Sequence, residues 1–216
     1  ASLHLHISNS YNFDRFSGGF VEILAAEQTL EHSGWYEGTA DAVRKNFIHF
    51  KNQKPTHYII LSGDQLYKMD LKAFMNEHIK SGAEITIATT AVNRHDASGF
   101  GIMKTDGENR VKEFMEKPKP TQNIDEWKIP VEARGSLPAE KEYLASMGIY
   151  IFNADTMEEV LLGENEKYTD FGKEILPLAI GKKKINSYVF DGYWEDIGTI
   201  KSFYDANIAL CEPNPT

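Results

Sequence analysis

The chain is organised around the continuous apolar run Tyr58-Ile59-Ile60-Leu61, bounded by His57 before it and Ser62-Gly63-Asp64 after it. A continuous run between polar and glycine positions predicts a strand buried on both faces, as in a parallel sheet under helices. Around it, the pattern predicts a helix over 2–11 with Leu3 and Ile7 on one face, a loop over 12–19 and a strand over 20–25. After a second loop through Gly34, Thr39 reads as the N-cap of a helix to about Lys51, with Ala42, Val43, Phe47 and Phe50 inward. A helix over 72–80 follows the apolar run, with Phe74, Met75 and Ile79 inward, and then a β-branched strand over 84–90. Strands and helices alternating in this way imply a doubly wound sheet.

The rhythm changes after Val92. Two short strands, 100–104 and 110–116, flank a hairpin loop over 105–109. The polar stretch 121–141 is an excursion with one short helix near 124–127. A strong strand over 143–152, helices over 154–162 and 171–180, a strand over 185–190, a loop over 191–198 and a helix from Thr199 to about Leu210 complete the reading. There is no internal repeat.

Composition narrows the classes. A chain of 216 residues with 41% hydrophobic and 25% charged positions is an ordinary globular protein. Its formal charge of −9 argues against a nucleic-acid surface. No apolar run approaches a membrane span, and no signal-peptide pattern opens the chain. The one cysteine, Cys211, forms no internal disulfide and fits a reducing compartment.

Five stretches could carry chemistry. Asp64 follows the apolar run, where ligands of open α/β sheets bind; it either meets a ligand through Mg²⁺ or caps the next turn. Gly38 and Thr39 place a glycine and a hydroxyl at a helix start, which suits an anion or simply caps the helix. Glu116-Lys117-Pro118 ends a strand; the proline lets both charges face a cleft, or the pair is a solvated strand end. Ser146 and Gly148 sit in an apolar strand, marking either close ligand approach or a bulge. Asp196, between Trp194 and Gly198, is a second carboxylate for Mg²⁺, while Thr199 as a cap and Tyr193/Trp194 as core explain much of the same stretch. The seven histidines read as structural and Lys182-Lys183-Lys184 as a solvated turn. No P-loop, no Gly-x-Ser-x-Gly elbow and no Asp-x-Asp pair occurs.

Taken in order, Trp35-Tyr36-Glu37-Gly38-Thr39-Ala40-Asp41-Ala42-Val43, the stretch from Leu61-Ser62-Gly63-Asp64 to Met69-Asp70, Phe100-Gly101, Phe114-Met115-Glu116-Lys117-Pro118, the stretch from Ala145-Ser146 to Tyr150, and the stretch from Asp191-Gly192 to Gly198-Thr199 resemble the catalytic domain of the glucose-1-phosphate adenylyltransferases. The resemblance spans nearly the whole chain and favours this branch over enzymes handling uridine or thymidine diphosphate sugars. It implies a Rossmann-like α/β fold, a mixed sheet with helices on both faces and a sugar-binding subdomain. Residues 1–92 would form the nucleotide and metal half, and 93–216 the sugar-phosphate half.

The reaction implied joins ATP and α-D-glucose 1-phosphate into ADP-glucose and pyrophosphate, for glycogen or starch synthesis. Asp64, Lys117 and Asp196 would be catalytic, with Asp64 and Asp196 holding Mg²⁺. Tyr36, Gly38, Thr39, Gly101, Glu116, Lys117 and Ser146 would bind substrate, Lys117 on the phosphate and Glu116 on sugar hydroxyls. The resemblance also implies a homo- or heterotetrameric enzyme of the bacterial cytosol or plastid stroma.

The family's glycine-rich triphosphate loop has no counterpart in this sequence, nor has its C-terminal β-helix. The chain therefore resembles the middle of a longer enzyme, and on that reading these residues alone make no ADP-glucose. A rival expectation is a non-catalytic, sugar-phosphate-binding regulatory subunit of the same family.

Overall fold

The computed structural model describes residues 2–14, 16, 18–24 and 35–213. Helix α1 (Ser2–Ser10) leads to α2 (Thr39–Lys45) and α3 (Phe47–Lys51). Strands β1 (His57–Ile60) and β2 (Gln65–Tyr67), helix α4 (Leu71–Ser81) and strands β3 (Ile85–Val92), β4 (Gly101–Thr105) and β5 (Val111–Glu116) follow. The second half holds α5 (Val131–Arg134), β6 (Tyr143–Asn153), α6 (Ala154–Leu161), a π-helical turn (Phe171–Ile175), α7 (Leu176–Ala179), β7 (Ile185–Val189), β8 (Trp194–Asp196) and α8 (Ile200–Ala209). None of the described helices is long and apolar enough to cross a membrane.

The sheet is mixed, as the resemblance implied, and it is built around β6. Strand β3 pairs antiparallel along one edge of β6 and parallel with β7 on its far side. The other edge of β6 is shared. Strand β1 covers its second half, Tyr150 to Asn153, and β4 covers Leu144 and Ala145. Both run antiparallel to β6, so the carboxyl end of β1 and the start of β4 face each other across the middle of β6. There β6 bulges: Ile87 pairs with Tyr150 and Thr89 with Ser146, leaving Met147, Gly148 and Ile149 opposite Ala88 alone. Gly148 has φ +66°, a conformation that glycine adopts without steric cost. The glycine is thus a bulge residue, and the bulge opens a gap at the strand ends.

Helices cover both faces because β6 alternates apolar side chains to each. Tyr150 and Phe152 pack with Phe47, Met157, Leu161, Phe171 and Leu176 on one face. Met147, Ile149 and Ile151 pack with Phe74 of α4 on the other. The excursion lays Ile124 and Trp127 over Ile102, Tyr143 and Ala145.

Several expectations are corrected. Residues 58–60 are half-buried and, among the described residues, pair only with β6 and antiparallel to it, so the run is neither buried on both faces nor part of a parallel ladder, and Leu61 is exposed. Residues 20–24 form no strand and Phe20, Val21 and Ile23 are exposed; an apolar run without a partner ladder has no strand to join, and Ala25 lies outside the described residues. Helix α1 buries no residue, and Leu3 is exposed. The helix expected over 39–51 breaks at Asn46, whose amide bonds Ala42 O and the Tyr36 hydroxyl. Gly38, not Thr39, is the N-cap of α2. The helix over 171–180 begins as a π turn, and part of the loop over 191–198 is β8, which pairs with β2. Thr199 does cap α8, in a reciprocal box with Ser202. Lys183 and Lys184 are not solvated: Lys183 pairs with Glu84 and Glu159, and Lys184 reaches Ser81 O.

Helix α4 turns Ile79 outward and His78 inward. Asp70 caps its start by accepting from Lys72 N and Ala73 N, and Gly82 ends it in the left-handed conformation. The buried His78 is neutral and bridges two strands: its Nε2 donates to Asn153 Oδ1 at 2.9 Å and its Nδ1 accepts from Thr86 Oγ1 at 2.7 Å. Burial holds His78 below the ordinary histidine range, against the Asn153 bond that raises it, and the nearby His57 lowers it further. The folded state therefore binds this proton less readily than the unfolded chain. Stability on this account is complete above about pH 6.5 and falls as pH drops below it, by up to about 1.4 kcal/mol per unit. Urea unfolding at about pH 7 and pH 5.5 should show this loss in the wild type and a smaller one in His78→Asn.

Candidate functional site

The gap beside the β6 bulge is a cavity of about 490 Å³. Its floor is Ser146, Gly148 and Tyr150 of β6; its walls come from Ile60 to Gly63 after β1, Gly101 at the start of β4, Glu116 and Lys117 at the end of β5, and Asp170 to Gly172. Asp196 of β8 closes one side. Of the residues singled out in the sequence, Thr39, Gly101, Glu116, Lys117, Ser146 and Asp196 meet here. Tyr36, Gly38 and Asp64 do not line the cavity.

Gly38 packs on backbone, since a β-carbon there would stand 2.4 Å from Thr169 O. The first amides of α2 are already used: Ala40 N and Asp41 N both donate to Thr169 O, at 2.8 and 3.1 Å. Thr39 Oγ1 accepts from Phe171 N at 3.3 Å. The start of α2 thus holds the 169–171 turn in place rather than offering its amides to an anion. Glu174 holds the same turn from below, its Oε2 accepting from Thr169 N at 2.7 Å and Asp170 N at 3.1 Å.

That turn brings Asp170 toward Glu116. The Glu116 carboxylate is seated between two glycines: a β-carbon would be 2.8 Å from its Oε2 at Gly101 and 3.4 Å at Gly172. Burial raises the Glu116 pKa above the usual carboxylate range; Lys117 opposes that shift and Asp170 adds to it. Glu116 is therefore a partly desolvated acceptor on the cavity wall. Tyr150, a largely buried part of the floor, is pushed up to about 12, chiefly by burial, and stays protonated with Ser146 as its hydrogen-bond partner.

Lys117 is exposed and has φ 45°, a left-handed conformation rare for a residue with a side chain. Its amide donates to Phe100 O at 3.1 Å, which ties the end of β5 to the start of β4. Simple strand alternation would put Glu116 and Lys117 on opposite faces; the φ reversal lets both line the cavity.

The two aspartates adjoin. Gln65 pairs directly with Asp196, and Ile197 N donates to Asp64 O at 3.1 Å, so Asp64 and Asp196 lie at the same end of the β2–β8 ribbon. Asp64 Oδ1 accepts from Ser62 Oγ and Asp196 Oδ1 from Gly198 N, each at 2.8 Å. In each case the second carboxylate oxygen remains available. Among the described residues no group of three or more acidic, His or Cys side chains could hold a metal by itself. Asp196 lines the cavity and Asp64 does not, so the two aspartates share a ribbon end without both facing the cavity.

Asp170, Phe171, Gly172 and Gln65 also line the cavity and had no role from sequence. Nothing local marks the 170–172 stretch, because its position depends on the contact with α2. A model of a protein family described as nucleotidyl transferase matches residues 1–212.

Proposed function

Because the chain belongs to the nucleotidyl transferase family, we propose that it joins ATP and α-D-glucose 1-phosphate to form ADP-glucose and pyrophosphate. The observation that supports this reading best is the polarity of the cavity. It has an exposed lysine, Lys117, beside a desolvated carboxylate, Glu116, with the Asp170 carboxylate near it. A ligand with one anionic end and one polyol end matches that arrangement, and a hexose 1-phosphate is such a ligand. The six motif stretches in register support the adenylyl branch.

Each side chain then has a role. Lys117 meets the sugar phosphate as a point charge. Glu116 and Asp170 accept from sugar hydroxyls. Gly101 leaves the space that the Phe114 ring and the Glu116 carboxylate occupy. Asp64 and Asp196 would hold Mg²⁺, which when bound neutralises phosphate charge. The residues of the chain contribute mainly by orienting the sugar-phosphate oxygen toward the α-phosphorus and by placing positive charge where negative charge gathers.

The test is pyrophosphate release by the complete gene product, with ATP, UTP and dTTP each paired with glucose 1-phosphate and other hexose 1-phosphates. ATP with glucose 1-phosphate should give the highest kcat/KM. A higher value with UTP or dTTP would move the chain to another branch of the family. Binding of glucose 1-phosphate without any turnover would favour a regulatory subunit.

A further inference from the structure

The side chain of Gln65 is held in one orientation by a partner that can only donate. Trp194 Nε1 gives its hydrogen to Gln65 Oε1 at 3.1 Å. An indole N–H has no acceptor capacity, so this bond fixes which end of the amide is oxygen. The amide nitrogen is turned the other way, over the bulge of β6. A β-carbon at Gly148 would stand 3.2 Å from that nitrogen, and 3.4 Å from Ser62 Cβ. The φ of +66° at Gly148 keeps a side chain out of the same place. Among the described residues the amide N–H groups have no acceptor. Gln65 lines the cavity together with its cross-strand partner Asp196.

We propose that Gln65 is a specificity-determining residue whose amide nitrogen donates to a hydroxyl oxygen of the bound hexose 1-phosphate. This inference rests on the functional reading above. A sugar hydroxyl, rather than the phosphate, is the partner for two reasons. The amide lies over the cavity floor beside Gly148, where Ser146 and the protonated Tyr150 offer neutral hydroxyls and no cation. The lysine suited to an anion, Lys117, lies on the β5 wall and is exposed. A site that hydrogen-bonds a particular hydroxyl rejects the analogue lacking it, because its own polar group is then left unpaired. Trp194 acts through Gln65 as a positioning residue.

Calorimetric binding of glucose 1-phosphate and its mono-deoxy analogues to wild type and Gln65→Ala tests this. The variant should bind glucose 1-phosphate about three- to tenfold more weakly. One deoxy analogue should bind wild type and variant alike, while the others keep the full difference. Gln65→Glu preserves an acceptor for Trp194 and so guards against a folding defect. With the deoxyfluoro analogue at the same position, where fluorine accepts but cannot donate, Gln65→Glu should be at least as weak as Gln65→Ala. Equal binding of glucose 1-phosphate by wild type and Gln65→Ala would overturn the inference. So would a loss of the same size for every analogue, which would put the amide on the phosphate or leave it purely structural. Wild-type protein that binds no hexose 1-phosphate would overturn the functional reading itself, and this inference with it.

Discussion

Asp196→Asn is expected to lower nucleotidyl transfer by about 10²–10³-fold, the scale of losing one preorganised electrostatic group in a reaction centre. The substitution is chosen for what it preserves. Asparagine has the size of aspartate and keeps an oxygen to accept from Gly198 N, the bond that holds the turn from β8 toward α8 at 2.8 Å. The β2–β8 pairing uses backbone and is untouched. Only the negative charge is lost, beside a cavity that on our reading holds a phosphate ester and Mg²⁺. The loss should fall on kcat and on the Mg²⁺ concentration needed for half-maximal rate, with the thermal unfolding midpoint little changed. Turnover within threefold of wild type at saturating Mg²⁺ would remove Asp196 from the reaction.

The second large effect is expected at Lys117. Lys117→Ala should raise KM for glucose 1-phosphate about ten- to a hundredfold, since a hydrogen bond to a charged group contributes about 1.5–3 kcal/mol. KM for ATP should move far less. The backbone offers a control. Lys117 holds φ 45° while carrying a side chain, and a left-handed non-glycine residue costs of order 1 kcal/mol or more. Lys117→Gly removes both the charge and that cost. It should lose the same affinity for sugar phosphate yet unfold at a higher denaturant concentration than Lys117→Ala. A residue kept only for stability would show the reverse: a gain on relief of strain with no penalty in binding. Equal losses for ATP and sugar phosphate would sink the assignment of Lys117 to the sugar-phosphate end.

These effects arise from residues that are far apart in sequence, and that separation divides what was legible from what was not. Local patterns announced β3, β4, β5, β6 and β7, because β-branched and apolar runs bounded by turn residues carry their own signal. Glu116, Lys117, Ser146 and Asp196 stood out as charged or small polar residues beside strands, and the structure gathers them around one cavity. Gly148 was legible as a bulge or a ligand approach, and it is both a bulge residue and part of the cavity floor.

The sequence by itself determined the strand and helix content around β6, the class of the fold and most of the polar residues of the site. Those depend on short-range periodicity and on residue types that suit few environments. Only the tertiary structure decided the edge position of β1, the pairing of β2 with β8 and the inward turn of His78. It also decided the arrival of Asp170 beside Glu116 and the orientation of the Gln65 amide. Each of these is set by a partner many residues away. How much of that edge of β6 remains for β1 depends on where β4 begins, and where Asp170 lies depends on the amides of α2 binding Thr169 O. A local pattern reports what a segment can become; its neighbours in space decide which of its groups are left to meet a ligand.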